Sequence, residues 1–537
     1  MRKVSTYFLI LIAILLVFSV AVQRWSEWWV NKNLPLILNA NPDREYDVQF
    51  DQVQFDLIKR VILIEEVKIR PIGAKKSMSA EATVHQAFLS GIDPFRLFWD
   101  KNLQIGELMF SSPYFKVHFL PDSTSEGEKA GNALQGLFGD ILSRGEIQNF
   151  QVGRANAQFY SGDSLLGELV NLNLIATGLK TDSVRWTNPI PFDYDRIRIS
   201  LDRLDYRFEN GQELKVGKVS FDTDLAEVKV REGFSLKFAK DIRKVAQKMD
   251  FQTDLIEVEV DSLMFSGLEA NTNLYSDLDI RAQKLHVFGL DFLDFRDKNK
   301  PRGTSPVKPM FQGLIQKIHF PLKLDTFKIS NGKIQYSESV PGESETWRFQ
   351  IDHLDGELIK LTSIDELQQA FGQVEGDFKG KIEGHGMLSA QVKVPFDREE
   401  FDMQLELTDF DLTRLNEILM PVMHGDIVSG KGHRLHVSIR AKESYADATM
   451  IFDYEDLKVE LFKKGTQRKN RLVSTLANFA LHKSNLPTEK KYRKPSFQVA
   501  RDIHRGPFHL VWKSTKEGII QVVPTATVQR LLESSEK

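Results

Sequence analysis

The chain contains one tetrapeptide typical of a serine hydrolase, Gly162-Asp163-Ser164-Leu165. In such an enzyme a serine attacks the acyl carbon, and a histidine oriented by a carboxylate activates it. An Asp two residues before a His occurs at Asp502 and His504, whereas GDSL hydrolases place these residues three apart. The tetrapeptide also separates two apolar alternating segments. We therefore expect a hairpin turn here, and no catalytic residue.

The segment from Gly425 to Gly432, GDIVSGKG, is close to a phosphate-binding loop. Gly432 replaces the Ser or Thr that would bind magnesium in such a loop. The segment also follows a predicted helix and precedes a predicted strand, which is the reverse of the required order. We predict no nucleotide site.

A metal site is also disfavoured. His433 and His436 flank the start of a predicted strand, where a spacing of three places side chains on opposite faces, and His424 precedes them. The chain has no cysteine. Acidic pairs on single strand faces offer too few ligands for calcium; they are Asp222 with Asp224, Asp277 with Asp279, and Asp409 with Asp411. We predict no metal, no cofactor and no enzymatic activity.

Basic residues are concentrated near the C-terminus. Between Lys463 and Lys513 there are thirteen Lys or Arg residues against two acids, Glu489 and Asp502. Such a surface attracts anionic lipid headgroups, lipopolysaccharide or an acidic protein, unless it only balances the acidic remainder of the chain. The anionic-surface candidates are Lys463, Lys464, Arg468, Lys469, Lys490, Lys491, Arg493 and Lys494.

The apolar segment Tyr7 to Val22 determines on which side of a membrane the rest of the chain lies. It has sixteen residues without a charge, which is just long enough to cross a thin hydrocarbon core. Arg2 and Lys3 precede it, so the N-terminus should stay in the cytoplasm and the rest of the chain should be exported. Export removes nucleic acid as a partner. The anchor candidates are Tyr7, Leu11, Leu15, Phe18, Trp25, Trp28 and Trp29.

A cleaved signal peptide is the alternative, because Ser19-Val20-Ala21 supplies small residues at the cleavage spacing. The tryptophan cluster favours an anchor, since an aromatic belt is useful only if the segment stays in the membrane.

Most of the exported chain alternates apolar and polar residues with a period of two, which is typical of strands with one oily face. At several points the alternation slips by one residue. A bulge or bend must absorb the slip if one face is to stay apolar, although short strands joined by tight corners would leave the same pattern. The slips fall at Phe50 to Val53, Val260 to Leu263, Leu324 to Phe327, Leu407 to Phe410, and Tyr454 to Leu457.

The predicted fold is therefore mainly β: an N-terminal transmembrane helix followed by a long, strongly curved antiparallel sheet, as an open groove or taco-like layer. A few short amphipathic helices are expected to cover sheet ends or edges. Their predicted ranges are 94–100, 134–142, 364–371 and 412–422.

The predicted organisation is a cytoplasmic tail (1–6), an anchor (7–24), an N-terminal β region (25–120), a central repeated β region (121–410) with a linker near 297–309, and a C-terminal helix plus β region with basic loops (411–537). With 537 residues, the chain exceeds a single ordinary core.

An apolar sheet face serves either as an open lipid groove or as a closed core, and alternation alone does not separate the two. The lipid-groove candidates are Ile197, Ile199, Leu201, Ile256, Val258, Val260, Leu322, Leu324, Met403, Leu405 and Leu407.

Several blocks resemble AsmA-like envelope proteins, particularly those of the Bacteroidetes type. They are the N-terminal anchor, the segments 53–71 and 90–119, the SNGKIQY element, and the C-terminal YEDLKVELF and VWKSTKEGII. The resemblance implies a single-pass protein of the bacterial inner membrane whose periplasmic sheet forms an apolar groove for phospholipid acyl chains, as in bridge-like lipid-transfer proteins. It implies a role in cell-envelope and outer-membrane homeostasis.

The alternative function is a non-catalytic scaffold or assembly factor for outer-membrane proteins, gripping an outer-membrane or periplasmic partner through sheet edges and the basic surface. A periplasmic hydrolase is a more distant third possibility.

Overall fold

The computed structural model describes residues 2–40, 44, 46–72, 78–101, 103–119, 147–180, 194–269, 278–303, 307–339, 341, 346–416, 425–461 and 481–524. The chain divides into two compact units. The first comprises residues 1–210, 214–232 and 266–279, and the second 211–213, 233–265 and 280–537.

Helices are few in the described chain. The long α1 spans Arg2–Leu38, and the short helices are α2 (Ile242–Ala246), α3 (Phe311–Gln316) and α4 (Asp365–Phe371). The last helix, α5, spans Pro507–Val522. A π-helical turn covers Arg96–Asp100 and a 3-10 turn covers Leu412–Leu415.

Twenty-three strands make up most of the remainder. The first eleven are β1 (Tyr46–Gln49), β2 (Gln52–Asp56), β3 (Val61–Pro71), β4 (Met78–Ser90), β5 (Glu107–Phe119), β6 (Asn149–Ser161), β7 (Ser164–Thr177), β8 (Arg196–Leu201), β9 (Arg203–Arg207), β10 (Gln212–Asp222) and β11 (Glu227–Phe238). The others are β12 (Asp254–Val260), β13 (Ser262–Leu268), β14 (Ile280–Phe288), β15 (Asp291–Asp297), β16 (Leu322–Ser339), β17 (Thr346–Thr362), β18 (Gln373–Ile382), β19 (Gly386–Pro395), β20 (Phe401–Asp411), β21 (Gly425–Ala441), β22 (Tyr445–Leu461) and β23 (Ser496–Ala500).

These strands belong to one sheet, and most neighbours run antiparallel. Parallel pairs occur in each unit: β5 with β6 in the first, and β14 and β15 with β16 in the second. The predicted fold class, mainly β with a large curved sheet, one N-terminal apolar helix and few short helices, is confirmed.

Left-handed residues resolve the phase slips inside strands. At seven places the second of the two residues between successive inward apolar side chains has a φ of 49 to 63°. These residues are Glu66, Arg154, Asn171, His353, Lys360, Asp409 and Asp456. At four of them, Arg154, Asn171, His353 and Asp456, the pairing register also shifts, which marks a β-bulge. A bulge absorbs the extra residue, so the next apolar side chain returns to the same face.

The five predicted slips have different structural causes. Those after Leu407 and Tyr454 lie inside β20 and β22 at the left-handed residues Asp409 and Asp456, and the register with β21 shifts at Asp456, which is a bulge. The slips before Val53 and after Val260 are breaks between consecutive strands. The fifth, after Leu324, lies in β16 opposite the left-handed Lys360 of β17. Both explanations that the sequence allowed therefore occur.

The C-terminal half of α1 covers the edge formed by β1 and β2. The Gln23 side chain donates to Phe55 O and accepts from Leu57 N (3.1 Å), and Asn31 Nδ2 donates to Val53 O (2.8 Å). These amides satisfy backbone groups that an uncovered edge strand would offer to another chain. Val30 and Leu34 of the same helix are fully buried.

The first unit has a closed core over β1 to β6. Its inward side chains, among them Phe55, Ile64, Val84, Val117 and Phe150, are each less than 7% exposed. In the second unit, α5 lies against β22, where Gly518 allows close contact with Met450.

The predicted short helices are partly reproduced. The range 94–100 contains the π-helical turn, 364–371 contains α4, and 412–422 begins with the 3-10 turn before leaving the described residues. The range 134–142 lies outside the described residues.

Candidate functional site: an apolar face of the second unit

One face of the second unit carries a row of apolar side chains across neighbouring strands. Register pairs Val258 of β12 with Phe292 of β15, Phe292 with Ile334 of β16, Ile334 with Ile351 of β17, and Ile351 with Ile382 of β18. Paired residues share a face of the sheet, so these five side chains form one stripe. Each is only half-buried, and Ile382, at one end of the stripe, packs against the buried cluster of this unit. We call these five residues the open row.

The same face continues across β19 to β22 but becomes covered. Leu388, Leu407, Leu435 and Phe452 are paired in register, and Leu407 and Phe452 are buried. Here α5 contributes Leu510, Val511 and Val522 to the packed cluster. This part of the face is a protein core.

The opposite face is polar where its pairs are described. Arg440 Nε donates to Asp402 Oδ1 (3.1 Å), Gln404 Nε2 to Ser438 Oγ (2.8 Å), and Gln498 Nε2 to Asp447 Oδ1 (3.1 Å). Such exposed pairs suit a solvated surface. Beside β12 and β15, however, α2 packs against Leu255 and Phe295 on that face.

A polar cluster lies beside the open row. Asp294 is two residues from Phe292 and pairs in register with Tyr336, whose hydroxyl donates to Glu338 (2.9 Å). Arg296 binds Asp254. Burial, and secondarily the nearby charge of Asp254, raise the pKa of Asp294 to about 7. The face therefore offers apolar contacts next to groups that can hydrogen-bond, an arrangement compatible with an amphiphile.

The lipid-groove candidates differ in burial: some are in the protein core and others are partly or largely exposed. Ile197, Val260, Leu322, Leu324, Met403 and Leu407 are buried; Ile199, Leu201, Val258 and Leu405 are half-buried; Ile256 is 42% exposed. Ile197 belongs to the packed cluster of the first unit, and Met403 and Leu407 to that of the second. Ile199 and Leu405 also pack against these clusters, so of the candidates only Leu201, Val258 and Ile256 lie outside them and are not buried.

Four members of the open row, Phe292, Ile334, Ile351 and Ile382, are not among the candidates. Each lies in an alternating strand, so the sequence carries a signal for the face. These side chains form one stripe only because their strands pair with one another. Alternation within a strand does not predict which strands pair.

The anchor candidates lie on α1. From Ile10 to Ala21 every side chain is exposed, including Leu11, Leu15 and Phe18. Trp25 and Trp28 are about half exposed, while Trp29 packs with Phe98. The structure does not describe the side chain of Tyr7. α1 is long and apolar enough to cross a membrane.

The structure describes four of the eight anionic-surface candidates. Lys490, Lys491 and Lys494 are exposed, whereas Arg493 donates to the carbonyls of Gln521 (3.2 Å) and Pro524 (2.6 Å) at the end of α5. Arg493 therefore has a structural role. Lys463, Lys464, Arg468 and Lys469 lie outside the described residues.

The motifs that resemble catalytic ones occupy regular β structure. Gly162 and Asp163 form the turn between β6 and β7, and Gly425 to Gly432 lies in β21. His433 Nε2 lies 3.0 Å from Glu455 Oε1. Within the described residues, no group of three or more potential metal ligands comes together.

No protein-family model matches the chain, and no curated protein is significantly similar to it. The resemblance to AsmA-like envelope proteins therefore stays a prediction.

Proposed function

We propose that the chain is a non-enzymatic, membrane-anchored protein that binds lipid acyl chains on the open row of its second unit. The supporting observation is the row itself: five apolar side chains in register, none of them fully buried, beside a part of the same face that is covered by packed protein. A contiguous row of apolar side chains that protein does not fully cover suits a ligand-binding groove.

The proposal places the protein in the bacterial inner membrane by a single pass, with the N-terminus in the cytoplasm and the bulk of the chain in the periplasm. Arg2 and Lys3 before the apolar segment support this orientation. The lipid would be a phospholipid or another envelope lipid, and the role would be envelope and outer-membrane homeostasis.

Crosslinking tests the proposal. A photocrosslinking amino acid replaces Ile334 in the open row, or Met387 as a control; Met387 is 49% exposed and one residue from Leu388, so it projects from the other face of β19. The full chain is reconstituted in phospholipid nanodiscs, illuminated and digested. We expect lipid adducts on the peptide carrying position 334 and none on that carrying 387.

A Val258→Asp variant sharpens the experiment, because a carboxylate in the open row opposes acyl-chain binding. We expect the adduct at position 334 to fall several-fold while the melting temperature and circular dichroism stay close to those of the parent. Equal adduct yields at 334 and 387, or none at 334, would reject lipid binding on this face.

The scaffold function remains the alternative, and one observation weakens part of it. The edge formed by β1 and β2 is covered by α1 through Gln23 and Asn31, so that edge is not available to extend the sheet. Protein adducts in place of lipid adducts at position 334, with the chain in its native membrane, would favour the scaffold.

A further inference from the structure

Large apolar side chains are exposed around the point where α1 leaves the first unit. Ile58 is 84% exposed, Phe95 64%, Trp99 69% and Trp25 50%. Ile58 lies in the turn between β2 and β3. Trp99 lies in the π-helical turn, and Phe95 directly precedes it. We call Trp25, Ile58, Phe95 and Trp99 the collar.

Specific contacts hold the collar segments to α1. Gln23 binds the backbone of Phe55 and Leu57, directly before Ile58. Phe98, between Phe95 and Trp99, packs against Trp25 at 5.3 Å and against Trp29 at 4.9 Å between ring centroids.

The two loops also hold each other. Ile92 N donates to Arg60 O (3.3 Å), which links the β2–β3 turn to the segment before the π-helical turn. Asp93 Oδ1 accepts from Phe95 N (2.9 Å) and fixes the start of that turn. The collar is therefore a defined surface, and Phe95 and Trp99 stack outward on each other at 4.8 Å.

The collar begins where the membrane-facing part of α1 ends. All side chains from Ile10 to Ala21 are exposed, and burial against protein begins at Val22 and Gln23. At about 1.5 Å per residue, Trp25 lies only about 6 Å beyond Ala21 along the helix axis. That distance corresponds to the headgroup region, where tryptophan is enriched. Exposed cations, Lys59, Arg60 and Lys101, lie within or next to the same two loops.

We infer that the collar docks the first unit into the interfacial layer of the bilayer that α1 crosses, with the aromatic side chains at the acyl boundary and the cations among the lipid phosphates. The bilayer is the occupant because the collar is continuous with an apolar helix of membrane-spanning length. The inference does not depend on lipid binding by the second unit. It assigns a membrane-contact role to Ile58 and also to Phe95 and Trp99, whose helical segment 94–100 was expected only to cover a sheet end or edge.

The absence of cysteine makes the test direct. Single cysteines at positions 58, 95 and 99 carry an environment-sensitive fluorophore in the full chain, reconstituted in phosphatidylcholine and phosphatidylglycerol nanodiscs. These positions are exposed, so labelling should not disturb the core. Phe98, which packs against α1, is left unchanged.

Leu165 provides the matched control. It is 45% exposed and apolar, and it follows the β6–β7 turn at the far ends of the strands, where Ser161 pairs with Phe119 of β5. The thirteen residues of β5 separate that end from Glu107, which is about 40 Å along the strand. A label at position 165 should therefore remain in water.

We expect labels at 58, 95 and 99 to shift to the blue on reconstitution and to be quenched at least two-fold more by spin-labelled lipids than the label at 165. Aqueous iodide should show the opposite order. Iodide quenching at 95 and 99 equal to that at 165 would overturn the inference. Because the readout is confined to the first unit, the result is independent of the crosslinking at position 334.

Discussion

At the residue scale, Asp294 combines a buried, poorly satisfied carboxyl group with a raised pKa. Its Oδ1 atom is buried without a hydrogen-bond partner among the described residues, two positions from Phe292 of the open row. Burial, reinforced by the charge of Asp254, raises the pKa of Asp294 from 3.8 to about 7. Arg296 opposes that rise, yet it is already bound to Asp254. The carboxyl therefore destabilises the fold when it is ionised.

We predict a pH dependence of stability from this carboxyl. Between about pH 4 and pH 7 the folded chain retains a proton that the unfolded chain releases, so the free energy of unfolding falls as pH rises through this range. Asp294→Asn should flatten that part of the profile and raise stability above pH 7 by about 1–3 kcal/mol, because the neutral amide avoids the cost of an ionised, poorly satisfied buried carboxylate. Melting temperatures of the full chain from pH 4 to pH 8 measure the effect.

Asp397→Asn is the matched control, because the Asp397 side chain is 72% exposed and pairs with Arg398. Its profile should follow that of the parent. If Asp294→Asn keeps the parent's slope between pH 4 and pH 7, the proposed protonation of Asp294 is wrong.

At the element scale, the sequence predicts the strands and their interruptions well. A step of three between apolar residues marks the left-handed residues Asp409 and Asp456 inside strands, because the extra residue must be absorbed for the face to stay apolar. The same step marks the strand breaks before Val53 and after Val260. Alternation therefore reports each strand's face but does not distinguish a bulge from a corner.

The candidate face is less predictable because it depends on what covers it. Val258 and Met403 have the same alternating sequence context, yet Val258 is half-buried and Met403 is 7% exposed. The difference arises because Met403 belongs to the packed cluster that α5 completes, and α5 is more than ninety residues later in the chain. Local alternation carries no information about such distant packing.

The covering by α5 leads to a prediction at Gly518. A Cβ at this position would lie 2.6 Å from Met450 Cε and 3.0 Å from Met450 Cβ, so Gly518→Leu requires the Met450 side chain to repack and strains the contact between α5 and β22. We expect a loss of about 1–3 kcal/mol, as for other overpacked cores. The melting temperature and the rate of proteolysis within α5 measure it.

Lys516→Leu serves as the control, since Lys516 is exposed on the same helix. Both substitutions introduce the same side chain, but replacing glycine also gains up to about 1 kcal/mol of helix propensity, so a lower stability of Gly518→Leu than of Lys516→Leu reports packing and understates its cost. Equal melting temperatures would show that α5 does not pack closely at Gly518.

At the scale of the whole molecule, one chain combines an apolar helix at its N-terminus with a basic loop near its C-terminus. The loop is held in place: the Asn485 side chain binds Phe452 O (2.8 Å) and both backbone groups of Arg493, while Tyr492 binds Asp453 (2.9 Å). Lys490, Lys491 and Lys494 project from this ordered segment. An ordered set of three cations binds an anionic surface with less entropy loss than a flexible set would.

We predict that the full chain, held by α1 in phosphatidylcholine nanodiscs, will bind separate phosphatidylglycerol vesicles through these lysines and will not bind phosphatidylcholine vesicles. Reversal of Lys490, Lys491 and Lys494 to Glu should reduce co-flotation by at least ten-fold at low salt, since each cation near an anionic bilayer contributes about 1 kcal/mol. The parent's binding should weaken as the Debye length falls from about 30 Å at 0.01 M to about 10 Å at 0.1 M salt.

Arg493 is left in place in this experiment, because it binds the end of α5 through Gln521 and Pro524 and its loss would confuse binding with unfolding. Reversal of three other exposed lysines, Lys379, Lys393 and Lys458, changes the net charge equally and serves as the control. If both triple variants weaken co-flotation to the same extent, the attraction belongs to the overall charge of the chain and not to the loop. If neither does, the lysines of the loop only balance acidic residues elsewhere.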